Sequence, residues 1–106
     1  DGLAALEKLE FLVIHDTFLS PAAQRADVVL PRVTFAEKEG TFTNLERRIQ
    51  KLNPALRING GEARPESWVI SALAQRMNAA GFAHSTAAET MDEIARLAPI
   101  YSGVTY

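Results

Sequence analysis

The side chains best suited to chemistry fall into a few short stretches. Asp16 ends the run Phe11-Leu-Val-Ile-His-Asp16, and its carboxylate can accept paired N–H donors of a nucleobase, bond sugar hydroxyls, or cap the next turn. His15 is its neighbour; the other histidine is His84, and with no carboxylate pattern of ligand type around either, a metal site is not expected. Lys38 stands between Glu37 and Glu39 in a loop that contains Gly40, where an ammonium group can reach an anion or stay solvated. Arg47, Arg48 and Lys51 form a small basic cluster, but Glu46 offsets it and no aromatic side chain interleaves it, so a nucleic-acid partner is not expected. Glu62 and Glu66 lie at the start of a helical stretch, where the helix dipole favours a carboxylate with or without a ligand.

Several reaction classes drop out. These groups form no nucleophilic triad and no carboxylate dyad, and Gly60-Gly61 lacks the spacing of a dinucleotide fingerprint or a P-loop. The absence of cysteine excludes thiolate zinc, iron-sulfur ligation and a cysteine nucleophile within the chain. With 13 acidic and 11 basic residues, the formal charge of -2 creates no global field for nucleic acid or anionic membrane. No apolar run approaches the roughly 20 residues of a membrane helix, so direct membrane insertion is not expected. The cytoplasm is the default location, with a periplasmic parent as the alternative. At 106 residues the chain holds one domain or part of one. It opens on Asp1-Gly2 without an initiator Met and is expected to be an internal segment.

Positioning these residues requires short elements in alternation. Leu3, Leu6 and Leu9 recur at helical spacing, and the partly β-branched run 11–14 then predicts a buried strand ending at His15-Asp16. Ser20-Pro21 predicts a brief helix to about Arg25, and Asp27-Val-Val-Leu30 a second buried strand stopped by Pro31. Two continuous apolar strands joined through a helix predict parallel neighbours in an α/β sheet, and ligands of such sheets bind outside the strands' carboxyl ends. Residues 34–44 read as an irregular loop, with short strands around Phe42 and at 48–52. After a second loop through Asn59-Gly60-Gly61, Pro65 can open a helix carrying Val69, Leu73, Met77 and Ala80 on one stripe and closing near Gly81; Trp68 reads as core. Thr86-Ala-Ala-Glu89 has capping-box spacing and starts a last helix that Pro99 ends.

The motifs in order carry more than any one of them. Leu9-Glu-Phe-Leu-Val-Ile-His-Asp16, Ala26-Asp-Val-Val-Leu-Pro31, Phe35-Ala-Glu-Lys-Glu-Gly-Thr-Phe-Thr-Asn44, Glu46-Arg-Arg-Ile-Gln50, Gly61-Glu-Ala-Arg-Pro-Glu66 and the ending Tyr101-Ser-Gly-Val-Thr-Tyr106 follow one another across nearly the whole chain. This string resembles the molybdopterin oxidoreductase family, especially formate dehydrogenase alpha subunits and the related large chain of bacterial NADH-quinone oxidoreductase.

The resemblance implies part of a Rossmann-like parallel-sheet α/β domain with covering helices. Residues 1–106 form a single segment of it, with strand-helix-strand and cofactor loop in 1–52 and a loop and two helices in 53–106. It implies a bis(molybdopterin guanine dinucleotide) cofactor with molybdenum or tungsten in the parent protein, contacted here by His15, Asp16, Lys38 and Glu66. His15 departs from the commoner glutamine or serine, and Glu66 from aspartate. The parent would perform two-electron oxidation or reduction, formate to carbon dioxide for a formate dehydrogenase, with electrons passing through an iron-sulfur cluster that this segment does not ligate. Its partners would be the remaining domains of the parent chain and electron-transfer subunits. No catalytic residue is expected here, so the segment alone should be inactive. The alternative is a scaffold segment of the NADH-quinone oxidoreductase large chain, with electron transfer and no active molybdenum site.

Overall fold

The computed structural model describes residues 2–57 and 61–106, so Asp1 and residues 58–60, with Asn59 and Gly60 of the expected loop, lie outside the described residues. Its elements are helix α1 (Gly2–Leu6), strands β1 (Val13–Asp16), β2 (Val28–Pro31), β3 (Gly40–Thr43) and β4 (Ile49–Leu52), and helices α2 (Glu66–Arg76) and α3 (Ala87–Leu97). One-turn 3-10 helices stand at Ala23–Arg25, Phe35–Glu37 and Pro99–Tyr101. The class is mixed α/β, with a small parallel sheet and a small antiparallel one.

β1 and β2 pair in parallel, from Val13 opposite Val28 to Asp16 opposite Pro31, as the two apolar runs predict. Asp27 starts the pairing from both its ends: its carboxylate accepts the Leu12 N–H at 2.7 Å, and its own N–H donates to the Leu12 carbonyl at 2.9 Å. The register carries Asp16 to the end of the sheet, where its carbonyl accepts the Arg32 N–H at 3.0 Å. Arg32 in turn forms a parallel bridge with Arg64, extending the strand ends toward α2. The expected burial of these strands is not found, because Val13, Val28 and Val29 remain exposed among the described residues.

The short strands expected around Phe42 and at 48–52 form β3 and β4, while the start of the stretch read as an irregular loop is more ordered than its composition suggests. Thr34 and Glu37 form a capping box, the Glu37 carboxylate accepting both the Thr34 N–H at 2.8 Å and its hydroxyl at 2.9 Å. That turn delivers Lys38 in extended conformation to β3, which pairs antiparallel with β4 from Gly40 opposite Leu52 to Thr43 opposite Ile49.

α2 begins at Glu66 with Pro65 as its N-cap, so the proline sits one position earlier than the first helical position that the sequence suggests. It ends at Arg76, short of Gly81. Asn78 adopts φ 57°, a left-handed conformation asparagine tolerates, while Ala79 N–H donates to Ala74 and Asn78 N–H to Gln75, the paired bonds of a Schellman ending. Most of the predicted stripe is outward: Leu73 is 58% and Met77 71% exposed, while Val69 is half-buried. α3 starts as read, with Thr86 and Glu89 capping each other. Its Met91 is buried against the hairpin, the sulfur lying 3.9 Å from the Thr41 hydroxyl. No helix of the described residues is long and apolar enough to cross a membrane.

Met91, Val33 and Ala23 are the buried apolar side chains among the described residues. Truncating the largest should therefore be costly: Met91→Ala is expected to destabilise the chain by about 2–3 kcal/mol, against about 1 kcal/mol for loss of the cap in Thr86→Ala. Urea unfolding followed by circular dichroism checks the order; equal midpoints for Met91→Ala and wild type would deny Met91 its place as the anchor of α3.

Candidate functional site at the strand ends

The four candidate residues come from three local devices. β1 delivers His15 and Asp16 as its last two residues, the Thr34 capping box delivers Lys38, and the first turn of α2 delivers Glu66. The structure joins Lys38 and Glu66 directly, the Lys38 ammonium donating to Glu66 Oε1 at 2.8 Å and to Oε2 at 2.7 Å. A second cation, Arg32, also forms an ion pair with Glu66 Oε1. Burial alone would disfavour the Glu66 anion, but hydrogen bonds from Lys38, its own backbone and Arg32, together with the Lys38 charge, outweigh that cost and bring its pKa down to about 2.

His15 reaches the same place through backbone. Its Nε2 lies 3.1 Å from the Arg64 carbonyl and 3.2 Å from the Pro31 carbonyl. Both partners can only accept, so Nε2 carries the hydrogen, and Nδ1 is the ring nitrogen left over for a ligand. Asp16 is shaped by its own turn: Oδ1 accepts the N–H of Thr17 at 2.7 Å and of Phe18 at 3.4 Å, and Oδ2 accepts the Ser20 hydroxyl at 2.8 Å. The Ser20 hydroxyl, then the Phe18 and Thr17 amides, hold the Asp16 carboxyl below its usual pKa. Capping and ligand readings of Asp16 are thus compatible, since the cap uses only part of the carboxylate's acceptor capacity.

Lys38 borders two clefts. One, of about 970 Å3, opens between α2 and α3 with Trp68, Arg76 and His84 on its walls; the other, of about 340 Å3, is lined by Glu66, Met91 and Tyr106. His15 and Asp16 line neither. They connect to the clefts through Arg32 and Arg64, two residues that sequence reasoning leaves without a role. The available signal is position: Arg32 directly follows Pro31, the register partner of Asp16, and so has to lie at the same sheet edge. Trp68, expected in the core, is 53% exposed and lies under the Arg64 guanidinium, 5.6 Å from centroid to Cζ.

The basic cluster does not act as a unit: Arg48 pairs with Glu46 at 3.4 Å, and the Lys51 ammonium sits 5.2 Å over the Tyr106 ring. Glu62 is exposed and Glu66 is not, which separates the two acidic candidates at the helix start. His84 faces Glu93 at 3.4 Å, and the described residues hold no His/Asp/Glu cluster suited to a metal ion.

The depressed Glu66 pKa has a pH signature. Its contribution to stability is complete above its ordinary pKa of 4.5 and is lost as pH falls through about 2. Melting temperature should therefore fall between about pH 4.5 and 2 by less in Glu66→Gln than in wild type. Superimposable pH profiles for the two would contradict the ion pairing.

Comparison with known proteins gives this geometry a context. The sequence model of the molybdopterin oxidoreductase family matches residues 2–76. Over 103 residues the chain is 50% identical both to a putative formate dehydrogenase of Staphylococcus haemolyticus and to a probable oxidoreductase of Bacillus subtilis, in each case covering 97% of this chain and 10% of the relative. It is 48% identical over 103 residues to a formate dehydrogenase alpha subunit of Methanococcus maripaludis, covering 96% of this chain and 15% of that protein. The chain thus spans only a small part of the curated relatives it matches. The Glu-Lys-Glu-Gly loop and the strand-end pair both lie inside the matched residues, and the chain belongs to the molybdopterin oxidoreductase family.

Proposed function

We propose that this chain forms one wall of the cofactor pocket in a formate dehydrogenase-type oxidoreductase. In this reading residues 1–106 are a single segment of a Rossmann-like domain, 1–52 bringing the strand ends and cofactor loop and 53–106 the two helices. The observation that carries it is the meeting of the parallel strands' carboxyl ends with the Lys38–Glu66 pair, at the edge where parallel α/β sheets take their ligands.

The side chains suit a guanine dinucleotide form of molybdopterin in their unspent hydrogen-bonding capacity. An ammonium has three donors, of which Lys38 commits two to Glu66, leaving one for a phosphate or a pterin oxygen. Asp16 Oδ2 accepts one hydroxyl and keeps a lone pair for a guanine N–H or a ribose hydroxyl. His15 Nδ1 is the ring nitrogen left to face a ligand, its orientation held by the two carbonyls at Nε2. Glu66 orients Lys38 and faces the smaller cleft. When bound, the cofactor would supply two-electron chemistry at molybdenum or tungsten, with formate as the substrate and carbon dioxide, a proton and two electrons as its products. This chain's residues bind and orient; the iron-sulfur cluster would be ligated elsewhere in the parent, because the chain has no cysteine. The exposed apolar faces of β1, β2 and α2 would be covered by the parent's remaining domains, with electron-transfer subunits beyond them.

The full-length protein, purified without oxygen, should carry near-stoichiometric molybdenum or tungsten. Lys38→Ala should weaken cofactor binding by about 10- to 100-fold, the worth of a charge-assisted hydrogen bond, read as pterin and metal retained per chain. Undiminished occupancy would remove Lys38 from the pocket. A well-folded parent with intact iron-sulfur clusters and no metal would favour the scaffold role in a NADH-quinone oxidoreductase large chain instead.

A further inference from the structure

Arg32 occupies the junction of the strand-end pair and the cleft pair. Its N–H donates to the Asp16 carbonyl at 3.0 Å, so its backbone is fixed in the register of β1 and β2. Its bridge partner is Arg64, whose carbonyl accepts from His15 at 3.1 Å. Its guanidinium crosses to Glu66 and also favours the Asp16 anion. Glu66 is consequently flanked by two cations where one would neutralise it. The two are not equivalent: Arg32 is 41% exposed and anchored to the sheet, whereas Lys38 is 22% exposed and borders both clefts.

We propose that Arg32 is a positioning residue of the ligand edge, holding the Glu66 carboxylate to the end of the sheet so that Lys38 can turn its ammonium toward an anionic ligand. The physical reason is charge compensation. A partly buried carboxylate deprived of its only cation is costly, so with Lys38 as sole partner the pair would resist opening. Arg32 keeps Glu66 paired while Lys38 moves. A guanidinium suits the task because its planar fork of five donors can serve Glu66 without leaving the field of Asp16. The inference rests on the cofactor-pocket reading above and adds to it a residue outside the four expected contacts.

The test uses the full-length protein and measures molybdopterin retained per chain, as pterin fluorescence after oxidative release, following dilution into buffer that contains no cofactor. Arg32→Ala should retain about tenfold less than wild type, the low end of the cost of losing an outer-shell partner. Arg32→Lys, which keeps the charge but not the fork, should recover part of the loss and retain clearly more than Arg32→Ala. Since Arg32 acts through Glu66, the double variant Arg32→Ala/Glu66→Gln should lose no more than Glu66→Gln alone. Arg32→Gln, which keeps the stem, carries the same expectation as Arg32→Ala if the alanine variant gives little folded protein. Wild-type retention in Arg32→Ala or Arg32→Gln, failure of Arg32→Lys to recover, or additive losses in the double variant would each overturn the proposal. A loss in Lys38→Ala with none in Arg32→Ala removes Arg32 alone; no loss in Lys38→Ala or Glu66→Gln removes the cofactor-pocket reading and this inference with it.

Discussion

The carboxylate of Glu66, shared between Lys38 and Arg32, joins parts of the chain that backbone hydrogen bonds only bring near one another. Lys38 enters from the turn before the β3–β4 hairpin, Arg32 from the end of the parallel sheet, and Glu66 from the first turn of α2. An exposed ion pair contributes little to stability, because water already solvates both partners. This one is part-buried and has two cations on one anion, so removing the carboxylate would leave two like charges facing each other. Position therefore matters more than strength here. The interaction fixes which elements share an edge, while its net energy remains modest.

Apolar burial among the described residues is too sparse to fix those positions. Val33 and Met91 anchor separate regions: Val33 follows the strand ends, its N–H donating to the Arg64 carbonyl at 3.3 Å, and Met91 clamps α3 to the hairpin. Between these anchors the work is done by local polar motifs. Thr34 with Glu37, Thr86 with Glu89, and Asp16 with Ser20 each close a turn whose geometry depends on a side-chain oxygen accepting backbone or hydroxyl hydrogens. In each, the carboxyl pKa is lowered by the same hydrogen bonds, first from Thr34 for Glu37, from Ser85 for Glu89 and from Ser20 for Asp16. These turns are built to be made by anions, and they place the site residues with little hydrophobic help.

What is legible in the sequence follows from the range of each signal. Parallel pairing of β1 and β2 can be read because continuous β-branched runs joined through a helical turn leave few alternatives. The α3 start can be read because a capping box is a four-residue motif with a fixed partner. The same motif at Thr34 and Glu37 is harder to see, since it precedes polar residues and a one-turn helix rather than an apolar stripe. Trp68 and most of the α2 stripe read as core but lie outward, because periodicity reports which face of a helix is apolar, not what covers it. Of the site, Asp16 and Lys38 have chemical signals of their own. Arg32 has none, because its role comes from the register between strands, which places residues 16 and 32 side by side across a connection the sequence alone does not measure.

The exposed faces and the polar edge are two consequences of one architecture. A parallel sheet of two strands needs cover on both faces, and among the described residues β1, β2 and α2 keep apolar side chains at their surface. The carboxyl ends of the same strands are polar and internally paired: Asp16 with its turn, His15 with two carbonyls, Glu66 with two cations. Apolar faces need neighbours whose shape fits them, whereas paired polar groups can exchange partners one at a time without leaving a charge uncompensated. The chain thus presents exposed apolar faces beside a polar edge whose groups are paired within the chain. Arg32 stands at the border between the two, its backbone in the sheet and its guanidinium in the exchangeable pair.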